Sequence, residues 1–221
     1  MDELYHTTLN ICQKGEFEIC ECREGNVAIL IVGQCRSLAQ NLINIDEFIK
    51  LYSSVTNRYY EVFFYIDPHI NFPWQDTSLR KGDLCTIRID LQIRSIFPNS
   101  HIMYYKSSSI HNFISNKVLN DASYLYYQSV IEHKAWEWAK TRMPNITHVF
   151  KLRPDATYDM EIDMSLFYKY NQLVLKDWDM CFHCTKEYAD IVCNQTKTIE
   201  NLELSNITGE PVSIHNVHYT H

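Results

Sequence analysis

An uninterrupted apolar run, Val27-Ala-Ile-Leu-Ile-Val32, constrains the fold of this 221-residue chain more than any other feature. A strand that is apolar at every position is buried on both faces, as in a parallel sheet covered by helices on both sides. Gly33 ends the run, and Ser37-Leu-Ala-Gln40 has the spacing of a capping box that opens a helix to about Tyr52. The first unit is therefore predicted to be strand, turn and helix.

The segments that follow continue this alternation. We predict strands at 60–66, 101–105 and 146–152, short strands at 172–175 and 180–183, and helices at about 84–97, at 121–142 with Asp121 as its cap, and from about 186. Segment 84–97 suits either a strand or a helical face, and the stop at Phe97-Pro98-Asn99 favours the helix. Alternating strands and helices predict one α/β domain with a mostly parallel sheet and helices on both faces. Residues 1–25, which are polar and aperiodic, are predicted to be an N-terminal extension to a domain of residues 26–221.

The net charge and the distribution of apolar residues limit which cellular compartment and which binding partners we expect. The formal net charge is −7, and no basic stripe interleaves with aromatic residues, so we expect no nucleic-acid partner. The segment Met1 to His6 carries acids where a signal peptide carries Lys or Arg, and no apolar run approaches the roughly 20 residues of a membrane span. The prediction is a cytoplasmic protein without a membrane span, in which the eight cysteines and three glycosylation sequons are inert.

Polar clusters follow three of the predicted strands. They are Gly33-Gln34-Cys35-Arg36, Asp67 and Arg153-Pro154-Asp155. Parallel sheets covered by helices bind ligands beyond the carboxyl ends of their strands, so these clusters are predicted to share one site. In the first cluster a helix N-terminus and a guanidinium favour phosphate. The alternative is a plain turn whose Arg36 pairs with a surface acid.

The third cluster ends its strand with a rigid turn. Because Pro154 fixes the backbone, Arg153 and Asp155 are held in set directions, one suited to phosphate and the other to a divalent cation or a ribose hydroxyl. The alternative is a structural Arg–Asp pair that tightens the turn. The motif alone leaves both interpretations open.

Taken together, these segments resemble the glycosyltransferase-like proteins with a nucleotide-diphospho-sugar transferase (GT-A) fold, many of which come from bacterial polysaccharide clusters and large DNA viruses. The resemblance covers roughly residues 27–193 and includes Trp178-Asp179-Met180-Cys181-Phe182. It implies a single GT-A-like, Rossmann-like domain. The implied activity is transfer of a sugar from a nucleotide-diphospho-sugar donor to a hydroxyl of a glycan or other acceptor.

The resemblance also implies a metal site, and here the chain departs from the family pattern. GT-A enzymes bind a divalent cation, Mn²⁺ or Mg²⁺, with an Asp-x-Asp after an apolar strand. In this chain Asp155 matches the last acid and Arg153 replaces the first. Two alternatives follow: Asp155 holds a cation with help from elsewhere, or Arg153 itself neutralises the phosphates and so serves catalysis.

By the same resemblance the substrate-binding residues are Gly33, Gln34, Arg36, Asp67, Arg153 and Asp155, with Asp67 near the base. A literal Asp-x-Asp occurs at Asp177-Trp178-Asp179. Its first acid, Asp177, is a weaker metal candidate. Asp179 is the candidate general base that would deprotonate the attacking acceptor hydroxyl. Two solvated acids at a strand end are the alternative.

Two other classes of protein compete with the transferase. Replacement of the first acid by Arg153 favours a non-catalytic nucleotide- or sugar-binding module with a degenerate site. The segment Cys181-Phe-His183-Cys184 favours, more weakly, a zinc-stabilised interaction protein, since it contains one Cys-x2-Cys pair. Turnover of a sugar nucleotide would exclude the first, and purified protein without stoichiometric zinc would exclude the second.

Overall fold

The computed structural model describes residues 25–67, 86–105, 120–165, 167, 175–177 and 181–194. Within these ranges lie six strands and four helices. The strands are β1 (Asn26–Gln34), β2 (Tyr59–Asp67), β3 (His101–Tyr104), β4 (His148–Leu152), β5 (Leu175–Asp177) and β6 (Cys181–Thr185). The helices are α1 (Leu38–Thr56), α2 (Thr86–Ile96), α3 (Asn120–Arg142) and α4 (Lys186–Val192).

The strands form one six-stranded sheet in the order β3-β2-β1-β4-β6-β5. β1 pairs in parallel with both β2 and β4, and β2 pairs in parallel with β3. β6 is antiparallel to β4 and to β5. The predicted α/β class and mostly parallel sheet are therefore confirmed.

The central strand β1 divides the core into two apolar layers. Side chains alternate across a strand, so the even-numbered residues 28 to 32 pack with α3 and α4, whereas the odd-numbered residues 27 to 31 pack with α1 and α2. All six of these side chains are at most 1% exposed. This burial on both faces is what the uninterrupted apolar run predicted, and it places helices on both sides of the sheet.

Among the described residues, the element types follow the sequence predictions, with shifts at the ends; most of the predicted strand 172–175 lies outside the described residues. Segment 86–96 is a helix, as its Pro-containing stop favoured. The predicted capping box is wrong in its bonding: Ser37 is the N-cap of α1 but makes no capping hydrogen bond with its side chain, which instead accepts one from Asn41 Nδ2 at 3.3 Å. Asp121 does not cap α3, because the helix already begins at Asn120.

Among the described residues, no helix is both long enough and apolar enough to cross a membrane.

Candidate active site

Two of the predicted clusters meet beyond the carboxyl ends of β1 and β4. These strands are neighbours, with Ile31 beside Leu152, so the residues that follow each strand emerge side by side. They border a small cleft that is partly open to solvent. The cleft is lined by Val32, Gly33, Gln34, Arg36, Tyr127, Gln128, Ile131, Arg153 and Asp155. Five of the six predicted substrate-binding residues are in this set.

Gly33 allows the two clusters to approach closely. Its φ is +144°, in the region that favours glycine, and an added Cβ would lie 3.0 Å from Pro154 Cδ and 3.2 Å from Pro154 Cγ. A side chain at position 33 would therefore press against the Arg153-Pro154-Asp155 turn. The absence of a side chain there sets the spacing between the two loops.

Gln34 lines the cleft, and its amide nitrogen has no hydrogen-bond partner among the described residues. The residue is 5% exposed, and its Oε1 accepts a hydrogen bond from Arg36 Nε at 2.9 Å. Because a guanidinium only donates, this bond fixes the amide with Nε2 on the other side. Nε2 is buried and unbonded in the described structure. Leaving such a donor without a partner is costly, so the position suits a ligand acceptor.

Arg153 and Asp155 form a two-pronged ion pair. Arg153 Nε and Nη2 donate to Asp155 Oδ1 and Oδ2, both at 2.8 Å. Arg36 Nη1 lies 3.9 Å from the same Oδ2, so the carboxylate faces two guanidinium groups. The structural Arg–Asp pair that the motif left open is thus present, and it lies inside the cleft.

Tyr158 and Asn44 hold the turn that carries this ion pair through hydrogen bonds to its backbone. The Tyr158 hydroxyl accepts from Arg153 N at 2.6 Å and donates to Arg153 O at 3.0 Å. Burial raises the pKa of the Tyr158 phenol, so it remains protonated and able to donate. Asn44 of α1 makes two bonds to the Tyr158 backbone, at 2.7 and 3.0 Å. The guanidinium of Arg153 therefore extends from a preorganised backbone.

Asp67 lies at the same edge of the sheet but does not line the cleft. It ends β2 in register with Gln34, and its carbonyl accepts from Cys35 N at 3.0 Å. The residue is fully buried. Tyr105 has a pKa well above its usual value, first because of burial and further because of Tyr127 and the Asp67 carboxylate. Contact of Asp67 with a base stays a prediction.

The second Asp-x-Asp is only partly described. Asp177 ends β5 and pairs with Cys181, which in turn pairs with Leu152, so its backbone is level with the carboxyl end of β4 two strands away. Asp179, the candidate general base, lies outside the described residues.

Helix α3 supplies a wall of the cleft that the sequence reasoning missed. Tyr127, Gln128 and Ile131 lie on this wall. Elsewhere on α3, Ala135 is fully buried, whereas Val130 and Trp138 are only partly buried. The sequence signal that points to Gln128 is its spacing of four residues from Glu132, which places both on one helix face.

A buried ion pair stands behind this wall. Glu132 Oε1 lies 2.8 Å from Lys151 Nζ of β4, and the two side chains are 8% and 1% exposed. The same Oε1 accepts from Gln128 Nε2 at 2.9 Å. Lys151, Glu132 and Gln128 thus form a chain from the sheet to the cleft.

The described donors do not by themselves form a metal site. The described residues contain no group of three His, Cys, Asp or Glu side chains placed to hold a metal ion. In the cleft, a divalent cation at Asp155 would face Arg153 and Arg36, whose charges repel it. These donors do not fit Mn²⁺ or Mg²⁺, and a metal role for Asp155 or Asp177 stays a prediction that requires donors outside the described residues.

The zinc alternative is weakened by the alternation of β6. Cys181 packs in the layer beneath α1, whereas Cys184 is buried in the opposite layer. His183 Nε2 and the Tyr52 hydroxyl share a hydrogen bond of 3.0 Å. Burial lowers the pKa of the His183 imidazole well below its usual value. The two cysteines of the Cys-x2-Cys pair therefore cannot share one tetrahedral ion.

The chemistry of the cleft follows from its charges and donors. Its charged lining residues are two arginines and one aspartate, so the cleft carries one net positive charge in a chain whose net charge is −7. Gln34 Nε2 adds a neutral donor, and the lining includes none of the first-turn residues of α1. Side chains, rather than helix amides, would bind an anion here.

No protein-family model, curated protein or solved structure matches this chain. The function is therefore inferred from the residues of the cleft.

Proposed function

We propose that this protein is a GT-A-like glycosyltransferase of a single Rossmann-like domain, which binds a nucleotide-diphospho-sugar in the cleft beyond β1 and β4. The α/β sheet with a cleft at the carboxyl ends of its parallel strands supports the proposal, since such sheets bind ligands at that edge. Many different activities occur on mostly parallel α/β sheets, so the fold is the weaker support. The donors in the cleft are the stronger one.

One observation carries the proposal: Gln34, Arg36 and Arg153 converge on one cleft, and Gln34 Nε2 is buried there without a partner in the described structure. Two guanidinium groups and an amide donor match the charge and the multiple acceptor oxygens of a diphosphate. Burying this amide donor without a partner in the described structure costs free energy, and an acceptor ligand would offset that cost.

In the proposed reaction an acceptor hydroxyl oxygen forms a bond to the anomeric carbon of the sugar. The bond from that carbon to the diphosphate oxygen breaks, and its electron pair leaves with the diphosphate. Arg36 and Arg153 stabilise the negative charge that develops on this leaving group. The hydroxyl proton passes to a base, for which Asp179 is our candidate.

A binding module without turnover is the second candidate, and the Arg153–Asp155 pair favours it. Both carboxylate oxygens of Asp155 are occupied by Arg153, so the described part of the cleft offers no uncommitted carboxylate as a base. Such a protein would bind the sugar nucleotide and leave it intact.

Turnover separates the two candidates. Purified protein is incubated with the sugar nucleotide that binds most tightly, and release of nucleoside diphosphate is followed with and without candidate hydroxyl acceptors. A transferase releases nucleoside diphosphate at a rate that falls at least about tenfold in Arg36→Ala, given about 1.5–3 kcal/mol for hydrogen bonds to a charged group. Arg142→Ala, which removes an exposed arginine from the end of α3, is the matched control and should retain the wild-type rate. Tight binding without any release would establish the binding module instead.

A further inference from the structure

The wall of the cleft on α3 differs chemically from the wall on the sheet. Gln34, Arg36 and Arg153 on the sheet side bring donors to the cleft. The α3 side brings the side chains of Tyr127 and Ile131 and the amide of Gln128, and the Tyr127 hydroxyl donates to the Tyr105 hydroxyl at 3.1 Å. A ligand that fits both walls has acceptor oxygens at one end and a group that pairs with an amide at the other.

The orientation of the Gln128 amide is fixed by the ion pair behind it. An ionised carboxylate only accepts, so Glu132 requires the nitrogen of Gln128 to face it, at 2.9 Å. Glu132 in turn is held by Lys151, whose side chain is 1% exposed and belongs to the rigid strand β4. The carbonyl oxygen Oε1 of Gln128 is thereby directed away from Glu132. A side chain held by buried partners recognises a ligand without first losing its own rotamer freedom.

We propose that Gln128 is a specificity-determining residue that selects ligands with a hydroxyl group attached beyond the phosphates. This inference rests on the proposed function and names the part of the nucleotide-diphospho-sugar that the α3 wall recognises. A hydroxyl donates to the Gln128 carbonyl oxygen, whereas phosphate oxygens have no hydrogen to donate to it. The hydroxyl belongs to the ribose or to the transferred sugar, and the two sources give different results below.

The test compares three probes by titration calorimetry: inorganic pyrophosphate, a nucleoside diphosphate and the corresponding nucleotide sugar. The variant is Gln128→Met, which keeps the length of the side chain and removes its hydrogen-bonding groups. Gln92→Met on the exposed face of α2 is the matched control. Thermal unfolding of each variant confirms that the fold is retained.

We expect Gln128→Met to bind pyrophosphate within about twofold of wild type and to lose about tenfold in affinity for a hydroxyl-bearing probe, as for one hydrogen bond of about 1.4 kcal/mol. A loss that is already complete with the nucleoside diphosphate assigns the ribose, and one that appears only with the nucleotide sugar assigns the transferred sugar. Gln128→Glu should lose affinity as well, because it places a second carboxylate beside Glu132 and repels the phosphates.

Equal affinities of wild type and Gln128→Met for all three probes, or an equal loss for all three, would overturn the inference while leaving the proposed function standing. If wild type binds none of the probes, the proposed function fails and the inference fails with it. If Arg36→Ala binds pyrophosphate weakly and Gln128→Met binds it normally, the two walls contact different parts of one ligand.

Discussion

Gly33 offers the sharpest test of how the two loops build the cleft. Gly33→Ala forces a residue with a side chain into φ +144° and sets its Cβ 3.0 Å from Pro154 Cδ. Such a backbone costs about 1–3 kcal/mol, and the stiffer unfolded chain returns about 0.4–1 kcal/mol. The net expectation is a loss of about 1–2 kcal/mol in the free energy of unfolding, measured by urea denaturation.

The same substitution should weaken the ligand site, because the crowded Pro154 must move and Arg153 and Asp155 move with it. We expect about a tenfold loss of nucleotide-sugar affinity by calorimetry, roughly one misaligned charge-assisted hydrogen bond. Gly25→Ala is the matched control. Gly25 also has a positive φ, +137°, and an added Cβ there would collide with Thr147, but it precedes β1 at the opposite edge of the sheet.

The two glycines therefore separate stability from binding. Gly25→Ala should destabilise the fold and leave affinity within about twofold of wild type. In a Pro154→Ala background the contact is absent, so Gly33→Ala should still cost backbone strain but no further affinity. If Gly33→Ala weakens binding no more than Gly25→Ala does, the contact between the two loops does not control the cleft.

Three further outcomes are expected. Asp155→Asn removes a negative charge whose repulsion of the diphosphate is worth about 1 kcal/mol at an intermediate dielectric. The variant should therefore bind a nucleoside diphosphate about three- to tenfold more tightly in the absence of metal. If Asp155 is instead a metal ligand, binding should depend on manganese and be lost in the variant. Glu132→Gln should lower the free energy of unfolding, measured with urea, by about 3–5 kcal/mol, because it leaves the Lys151 charge buried without its carboxylate. The double variant Glu132→Leu with Lys151→Met should recover most of this loss. A loss of under about 1 kcal/mol in Glu132→Gln would contradict the prediction. Burial holds the pKa of His183 well below its unfolded value, so only the unfolded chain takes up that proton as pH falls below about 6.5. Stability should therefore drop by about 1.4 kcal/mol per unit of pH below that point, an effect absent from the pH profile of His183→Phe.

The sequence predicted the elements well where the signal is local. The run from Val27 to Val32 has no polar break, so burial on both faces, and with it the parallel sheet, could be inferred without any partner strand. Gly33 and Arg153-Pro154-Asp155 were predicted to share an edge because each follows an apolar strand. Their meeting in one cleft follows from the adjacency of β1 and β4.

Contacts between distant parts of the chain could not be predicted in this way. Asn44 and Tyr158 are 114 residues apart, and nothing in either segment indicates that one fixes the backbone of the other. Gln128 became part of the cleft because α3 packs across β1, and helical periodicity alone did not reveal which face it turns to the site. The capping box at Ser37 failed for a local reason, since Asn41, four residues further along the same helix, donates to the serine hydroxyl.

The central claim is that the cleft binds the diphosphate of a sugar nucleotide through its side-chain donors. The most direct measurement is calorimetric titration of UDP-, GDP- and dTDP-sugars, with and without manganese, together with the matching nucleosides, into wild type, Arg36→Ala and Arg142→Ala. We predict selective binding of one sugar nucleotide, with Arg36→Ala weakening the diphosphate ligand by about ten- to a hundredfold and the nucleoside by much less. No binding of any sugar nucleotide to wild type, or equal losses for diphosphate and nucleoside in Arg36→Ala, would contradict the claim.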